Sequence, residues 1–239
     1  MISSNTVLLS TAAGVALLHT LVGPDHYLPF AGMARAFSWS RRRTVLITLL
    51  CGLGHVLSSA LLGLVGIALG IGIAALQAIE SARGQFAAWA LTAFGLIYCA
   101  WGIRRALRNR PHAHSHVHFD GTLHEHTHVH EHEHLHVHAQ GPDQAARVTP
   151  WMLFAIFLLG PCEPMIPLVM YPAARHDWRG VALVTGVFGA VTLLTMTAAV
   201  LFCAAGLRQI RVTHLERYSH AMAGSVIAIC GFAILLLDV

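Results

Sequence analysis

The sequence predicts an all-α membrane protein of six transmembrane helices, built as a 3+3 inverted repeat with a Gly-Pro-broken first helix in each half. Three observations lead there. Of the 239 residues, 56% are hydrophobic and only 11% are charged, roughly half the charged share of a soluble domain. The apolar residues gather in stretches of the length that a bilayer crossing requires, about 20 residues. Two Gly-Pro pairs, Gly23-Pro24 and Gly160-Pro161, interrupt two of these stretches at corresponding places. Open strands cannot satisfy their backbone groups in lipid, so the spans are helices.

The first span runs from about Val7 to Val22 and then meets Gly23-Pro24. The second lies in the uncharged stretch Thr44 to Ile79, whose 36 residues would make a helix of about 54 Å. A bilayer core is about 30 Å thick, and two spans would barely fit, so the stretch reads as one span that Gly63, Gly66, Gly70 and Gly72 break or tilt. The third span is about Phe86 to Ile103. The fourth starts near Trp151 and is interrupted at Gly160-Pro161, the fifth is about Val181 to Gly206, and the sixth about Ala221 to Leu237. The chain thus divides into a transmembrane half over residues 1–107, a histidine-rich segment over 108–150 and a second transmembrane half over 151–239.

Charge sets the orientation. All 15 basic residues are arginine, and they stand beside apolar stretches, as in cytoplasmic loops, rather than in a stripe suited to nucleic acid. Twelve fall in the loops that would share one side, among them Arg35, Arg41, Arg42, Arg43, Arg104, Arg105, Arg108 and Arg208, and three (Arg83, Arg175, Arg179) on the other. The positive-inside rule then puts the histidine-rich loop in the cytoplasm and both termini outside. No charge occurs between Met1 and Pro24, which argues against a cleaved signal with a basic n-region.

The two halves share features. Pro29 follows the first Gly-Pro pair and Pro167 the second, and each half has a late span with a central cysteine, Cys99 and Cys230. Gly/Pro-broken helices at matching places in two halves point to a transporter's central site.

Ionisable groups inside a membrane are costly and face a cavity or a partner. His19 lies deep in the first span, with Asp25 and His26 just past the Gly-Pro pair, and His55 lies in the second span. In an unbroken helix His19 and His26 would stand about 10.5 Å apart along the axis, too far to share one ion. A segment unwound at Gly23-Pro24 brings them together. Imidazole with carboxylate suits nickel, cobalt, zinc or ferrous iron rather than cuprous copper. Cys162 and Glu163 are the analogous residues of the second half. Glu163, between prolines in an apolar span, reads as a metal ligand, a proton carrier or a partner of Arg175, and Cys162 as a ligand or a small apolar filler.

Twelve of the 18 histidines alternate through the middle segment: His112, His114, His116, His118, His124, His126, His128, His130, His132, His134, His136 and His138, all at even positions. An extended chain projects them from one side, so neighbours can chelate a metal as i, i+2 pairs, with Glu125, Glu131 and Glu133 nearby. Such a composition reads as flexible and metal-binding, without a packed core.

These features resemble the nickel/cobalt transporter family. The resemblance rests on six spans, on His19-Thr20-Leu21-Val22-Gly23-Pro24-Asp25-His26, on Gly52-Leu53-Gly54-His55, on the mid-chain histidines and on the Gly-Pro-Cys stretch opening the second half. The chain is similar above all to the branch of urease-accessory membrane permeases and nickel/cobalt efflux proteins. High-affinity importers of the family have four residues between the first histidine and Asp-His, whereas this chain has five. The resemblance implies metal handling by His19, Asp25 and His26, with His55 matching the family's second-span histidine.

The expected activity is secondary transport of a divalent metal ion, nickel or cobalt, across the inner membrane, with the loop gathering or sensing metal. No GxxxxGK[ST] nucleotide loop occurs, and neither an enzyme activity nor a prosthetic group is expected. Expected partners are the metal, the lipid bilayer, nickel-enzyme maturation proteins and a second copy of the chain, and not nucleic acid. Two other readings remain: a metal-binding accessory protein for urease or hydrogenase maturation that does not transport, and a membrane thiol-redox protein using Cys162. The five cysteines form no CxxC pair, which disfavours the latter.

Overall fold

The two Gly-Pro pairs act as proline chemistry requires, each standing where one helix ends before another begins. The computed structural model describes residues 4–108, 112–117, 123–128, 144–209 and 216–237. Helix α1 (Ser4–Val22) gives way to a 3-10 turn (Pro24–His26) and α2 (Leu28–Ala36), then α3 (Arg41–Ala68) and α4 (Ile73–Arg108). After the histidine-rich segment come α5 (Gln144–Leu159), α6 (Met165–Ala174), α7 (Trp178–Gln209), a second 3-10 turn (Glu216–Tyr218) and α8 (Ser219–Leu237). The membrane part is all-helical. Four helices, α3, α4, α7 and α8, are each long and apolar enough to cross a bilayer, and α1 with α2, bent by 82°, makes a fifth candidate. Helices α5 and α6 offer shorter apolar lengths, Pro150–Leu159 and Met165–Ala174.

The stretch Thr44 to Ile79 is not one span. It is divided between α3 and α4 by a tight turn at residues 69–72. Gly70 takes φ +68°, its N–H donates to Ile67 O, and that of Ile71 donates to Gly66 O. This is a Schellman closure, which glycine makes at little steric cost. Helix α4 therefore starts at Ile73 instead of near Phe86, and Glu80 and Arg83 fall inside it. Arg83 is thus a helix residue rather than part of an outer loop. A hydropathy sum over the uncharged stretch cannot register a turn made by backbone dihedrals.

Helices α2 and α6 end by the same closure on residues other than glycine. Ser38 (φ +50°) and His176 (φ +58°) occupy the left-handed position, with Trp39 N–H donating to Ala34 O and Asp177 N–H to Pro172 O.

Packing follows small residues. Antiparallel α4 and α8 approach so closely that a Cβ at Gly95 would strike the Ala228 backbone, one at Gly102 that of Ala221, one at Gly224 that of Cys99, and one at Gly231 that of Thr92. Such contacts dominate helix association in membranes, where burial of apolar surface gains little over lipid. Elsewhere α1 packs on α7 and α5 on α3, α2 on α7 and α6 on α3, α2 on α8 and α6 on α4, and α3 crosses α7. Two buried apolar clusters result, one around Phe30, Leu91, Phe157 and Met196 and one around Ala16, Val56, Cys162 and Phe188. Large apolar side chains such as Leu46, Leu61, Phe86, Ile97, Leu194 and Phe202 point outward, the surface of a multi-pass bundle in lipid.

The ends of α2, α4 and α7 and the starts of α3 and α8 meet at one end of the bundle. Arg35 Nη1 donates to Leu207 O at 2.6 Å and Arg208 Nη2 to Trp39 O at 2.7 Å. Tyr98 Oη lies 2.6 Å from His220 Nδ1, and the guanidiniums of Arg43 and Arg105 cover Trp39 and Trp101.

In the histidine-rich segment, β1 (His112–Val117) and β2 (Leu123–His128) pair antiparallel, with His112 opposite His128, His114 opposite His126 and His116 opposite His124. His118, His130, His132, His134, His136 and His138 lie outside the described residues.

Candidate metal centre

The first break builds one wall of the site. Helix α1 stops at Val22 because Pro24 has no N–H to continue the ladder. The last α1 bond runs from Gly23 N–H to His19 O (3.1 Å), and the 3-10 turn closes with His26 N–H donating to Gly23 O at 3.1 Å. This reverses the chain enough to set the His19 and His26 rings 4.8 Å apart, centroid to centroid, at 78°. The approach requires glycine: a Cβ at Gly23 would lie 2.6 Å from His26 Nδ1 and 2.9 Å from Asp25 Oδ1.

His26 Nδ1 lies 3.1 Å from Gly23 O and 3.3 Å from Asp25 Oδ1. Both neighbours accept, so Nδ1 carries the proton and Nε2 keeps its lone pair for the cavity. A carboxylate holding a histidine in the tautomer that presents a free nitrogen is the usual support of a metal-ligating imidazole.

Helix α3 brings His55 to the same place. Its ring is 5.2 Å from that of His26 and 6.3 Å from that of His19, nearly parallel to the latter. Phe157 of α5 stands edge-on to His26 and His55 at 6.4 Å and 6.2 Å. His19 Nε2 and His26 Nε2 are buried with no hydrogen-bond partner, and buried His55 has the Phe157 carbonyl as acceptor for one ring nitrogen, which leaves the other unmet. An unmet buried polar group costs about 1–3 kcal/mol. Three face one space, where a bound ion would satisfy them.

The second break supplies the opposite wall. Pro161 and Pro164 lack N–H groups, and Cys162 N–H donates to Ser59 Oγ at 3.1 Å and Glu80 Oε2 at 3.2 Å. Arg83, paired with Glu80, donates through Nη2 to Ser58 Oγ (2.9 Å), to Leu158 O (3.1 Å) and, at 3.5 Å, to Gly160 O. It thereby takes up carbonyls that the helix break releases. Glu80 has no exposed surface. Sequence reasoning missed both residues, because Glu80-Ser81-Ala82-Arg83 reads as a polar connection between apolar runs.

The two walls enclose a cavity of about 520 Å³, lined by His19, Asp25, His26 and His55 from one side and by Gly160, Pro161 and Glu163 from the other, with Cys230 of α8 between. Gly23-Pro24 and Gly160-Pro161 thus share one space. Cys162 is fully buried, and its ligand atom lies with those of His19 and His55 in one group, all within 4.8 Å of one another. Glu163 also lines an adjoining cavity of about 270 Å³ with Ser81 and Gln85, so it stands where the two spaces meet. Arg175 caps the end of α6, its guanidinium 4.7 Å over the Tyr171 ring.

His19, His55 and Cys162 form the group whose ligand atoms are close enough to share one ion, with the Asp25–His26 pair beside it on a cavity walled mainly by apolar groups. Compared with known proteins, the chain matches no family model, no curated protein and no solved structure.

Proposed function

We propose that this chain is a secondary transporter of a divalent transition-metal ion, nickel or cobalt, and not an enzyme. One observation carries the reading. Three histidines, each with a buried ring nitrogen that lacks a partner, face one cavity, and two broken helices from opposite halves of the chain form its walls. Nitrogen-rich ligand sets suit borderline dications, and broken helices meeting at a buried site are the usual means of binding an ion within a membrane and releasing it on either side. The residues that resemble the nickel/cobalt transporter family, His19, Asp25, His26 and His55, are the ones lining this cavity. An inside-negative potential of 100 mV favours entry of a dication by about 4.6 kcal/mol, so import can run on potential alone, whereas export requires coupling.

The reading includes six spans, with α1–α2 and α5–α6 as broken spans, in a 3+3 inverted repeat. Exchange of halves supports it. The main packings of α1 and α2 on the second half, on α7 and α8, have counterparts in those of α5 and α6 on α3 and α4. The closures at Ser38 and His176 match. On α4 and α8, Gly95 and Gly102 repeat the seven-residue spacing of Gly224 and Gly231, and the Gly95–Ala228 contact becomes the Gly224–Cys99 contact when the halves are swapped. A two-fold relation generates such self-matching contacts.

With Arg83 well inside α4 and paired with Glu80, the remaining arginines, at helix ends and in connections, divide twelve to two, and the arginine-bearing ends gather on one face. The positive-inside rule makes that face cytoplasmic. This puts both termini outside, in the inner membrane, and the histidine-rich loop in the cytoplasm, where it gathers metal.

Reconstitution tests the reading. Liposomes holding the protein should take up or release nickel or cobalt under imposed potentials or pH gradients, and His55→Ala or Asp25→Ala should abolish that flux while the protein still inserts. Metal binding with no flux under any gradient would reassign the chain as an accessory protein that hands metal on.

A further inference from the structure

Resting on the transport reading, the geometry points to a metal site that straddles the two broken helices: the Cys162 thiolate with the imidazoles of His19 and His55, a two-nitrogen, one-sulfur set for a thiophilic divalent cation. The ligand atoms of these three residues lie within 4.8 Å of one another. Bonds of about 2.0–2.1 Å to nitrogen and 2.3 Å to sulfur put tetrahedral ligands roughly 3.5 Å apart, so the set closes by about 1 Å around an ion.

Two further observations support the set. His55 is 96% buried, and with the Phe157 carbonyl as acceptor for one ring nitrogen the other is left unmet, so the wall that Cys162 approaches already holds a ligand atom. And the turn carrying the thiol is fastened on both sides. The Cys162 N–H is held by Ser59 Oγ and Glu80 Oε2, while the carbonyls before it, Leu158 and Gly160, face Arg83. Gly160 keeps the approach open, since a Cβ there would lie 3.1 Å from His55 Nδ1. Ser59 and Glu80 are positioning residues: they touch the turn and not the ion.

The consequence is selective. A thiolate in the set favours nickel, cobalt, zinc and cadmium over magnesium and calcium. Binding displaces the thiol proton to solution. Two ligands stand on the first half and one on the second, so the ion itself ties the halves together, while the Asp25–His26 pair stands beside the set as a neighbouring stage for the cation.

Titration of the purified full-length protein with Co(II) tests this by near-ultraviolet absorption. Thiolate-to-cobalt charge transfer absorbs there, and nitrogen and oxygen ligands, including those of the histidine-rich loop, do not contribute. The wild type should show the band, and Cys162→Ser should lose it. Cys230→Ser, although its thiol lines the same cavity, should keep it, as should a chain whose only cysteine is Cys162. Ser59→Ala, which removes one of the two acceptors from the Cys162 amide, should lower the Co(II) affinity read on this band about tenfold, while Glu80→Gln, which keeps an acceptor, should stay near wild type. No band at saturating Co(II), with His55-dependent flux intact, would overturn the sulfur ligand and leave the transport reading standing. No band and no flux of any metal would overturn both. A band that survives Cys162→Ser and disappears in Cys230→Ser would move the sulfur to Cys230, and equal affinities for Ser59→Ala and wild type would remove the positioning role.

Discussion

Glu80 is the most consequential residue that the sequence conceals. It is fully buried in a bundle where charges are expensive, and it is held there by Arg83, Ser59 and the Cys162 amide. Removing one member of a buried pair leaves the other uncompensated, at about 3–5 kcal/mol. Glu80→Ala should therefore destabilise the protein by about that amount in detergent unfolding, and Glu80→Gln, which keeps one acceptor oxygen for Ser59 and the Cys162 amide, by clearly less. Equal losses would mean that the charge carries the whole effect and the retained hydrogen bonds none of it. The histidines contrast with Glu80. His19, His26 and His55 are visible in the sequence because a titratable ring in an apolar run has few structural uses. The break at Gly23-Pro24 already brings His26 towards His19, but that His55 joins them in one cavity is not visible, because it depends on α3 packing against α5 and α7.

Among the elements, the α4–α8 pair shows how far glycine decides contact. Gly224 lies against the Cys99 backbone, whereas Gly186 in α7 has nothing within 4 Å of its absent side chain. Gly224→Ala should cost about 1–3 kcal/mol by overpacking a contact that cannot yield. Gly186→Ala should gain about 0.5–1 kcal/mol by stiffening a helix interior. Thermal unfolding in micelles separates the two, and the same sign for both would refute the packing assignment. The broken helices were legible because proline's missing N–H acts locally, whatever surrounds it. The boundary between α3 and α4 was not, since Gly70 is one of several glycines in an uncharged run and only its left-handed dihedral marks the turn.

On the scale of the whole molecule, the cavity and the histidine-rich loop have separate tasks. Twelve alternating histidines offer many interchangeable sites, whereas passage through the bundle needs a defined one. Deleting residues 111–138 should lower the metal bound per protein while leaving a metal-selective flux that still requires His19. Ligation needs neutral imidazole, so metal bound by the loop should fall as pH drops below about 6.5, the unperturbed histidine value. Equilibrium dialysis at several pH values measures the first effect and liposome flux by the deletion variant the second. Loss of flux at every metal concentration, with the fold intact, would make the loop part of the pathway.

By itself the sequence determined what depends on composition and on neighbours along the chain. Its apolar content demands a lipid-facing bundle, Pro24 and Pro161 interrupt their helices, and His19, Asp25, His26 and His55 stand out as costly groups in apolar runs. The tertiary structure decided what depends on distance across the bundle. It made Arg83 a helix residue that takes up the carbonyls freed at the second break, buried Glu80 against the Cys162 amide, and set both Gly-Pro breaks on one cavity. The physical reason is the range of the interactions. A missing N–H or an unfavourable transfer energy belongs to a residue wherever it goes, whereas an ion pair, a shared cavity or a backbone contact exists only once helices distant in sequence have packed.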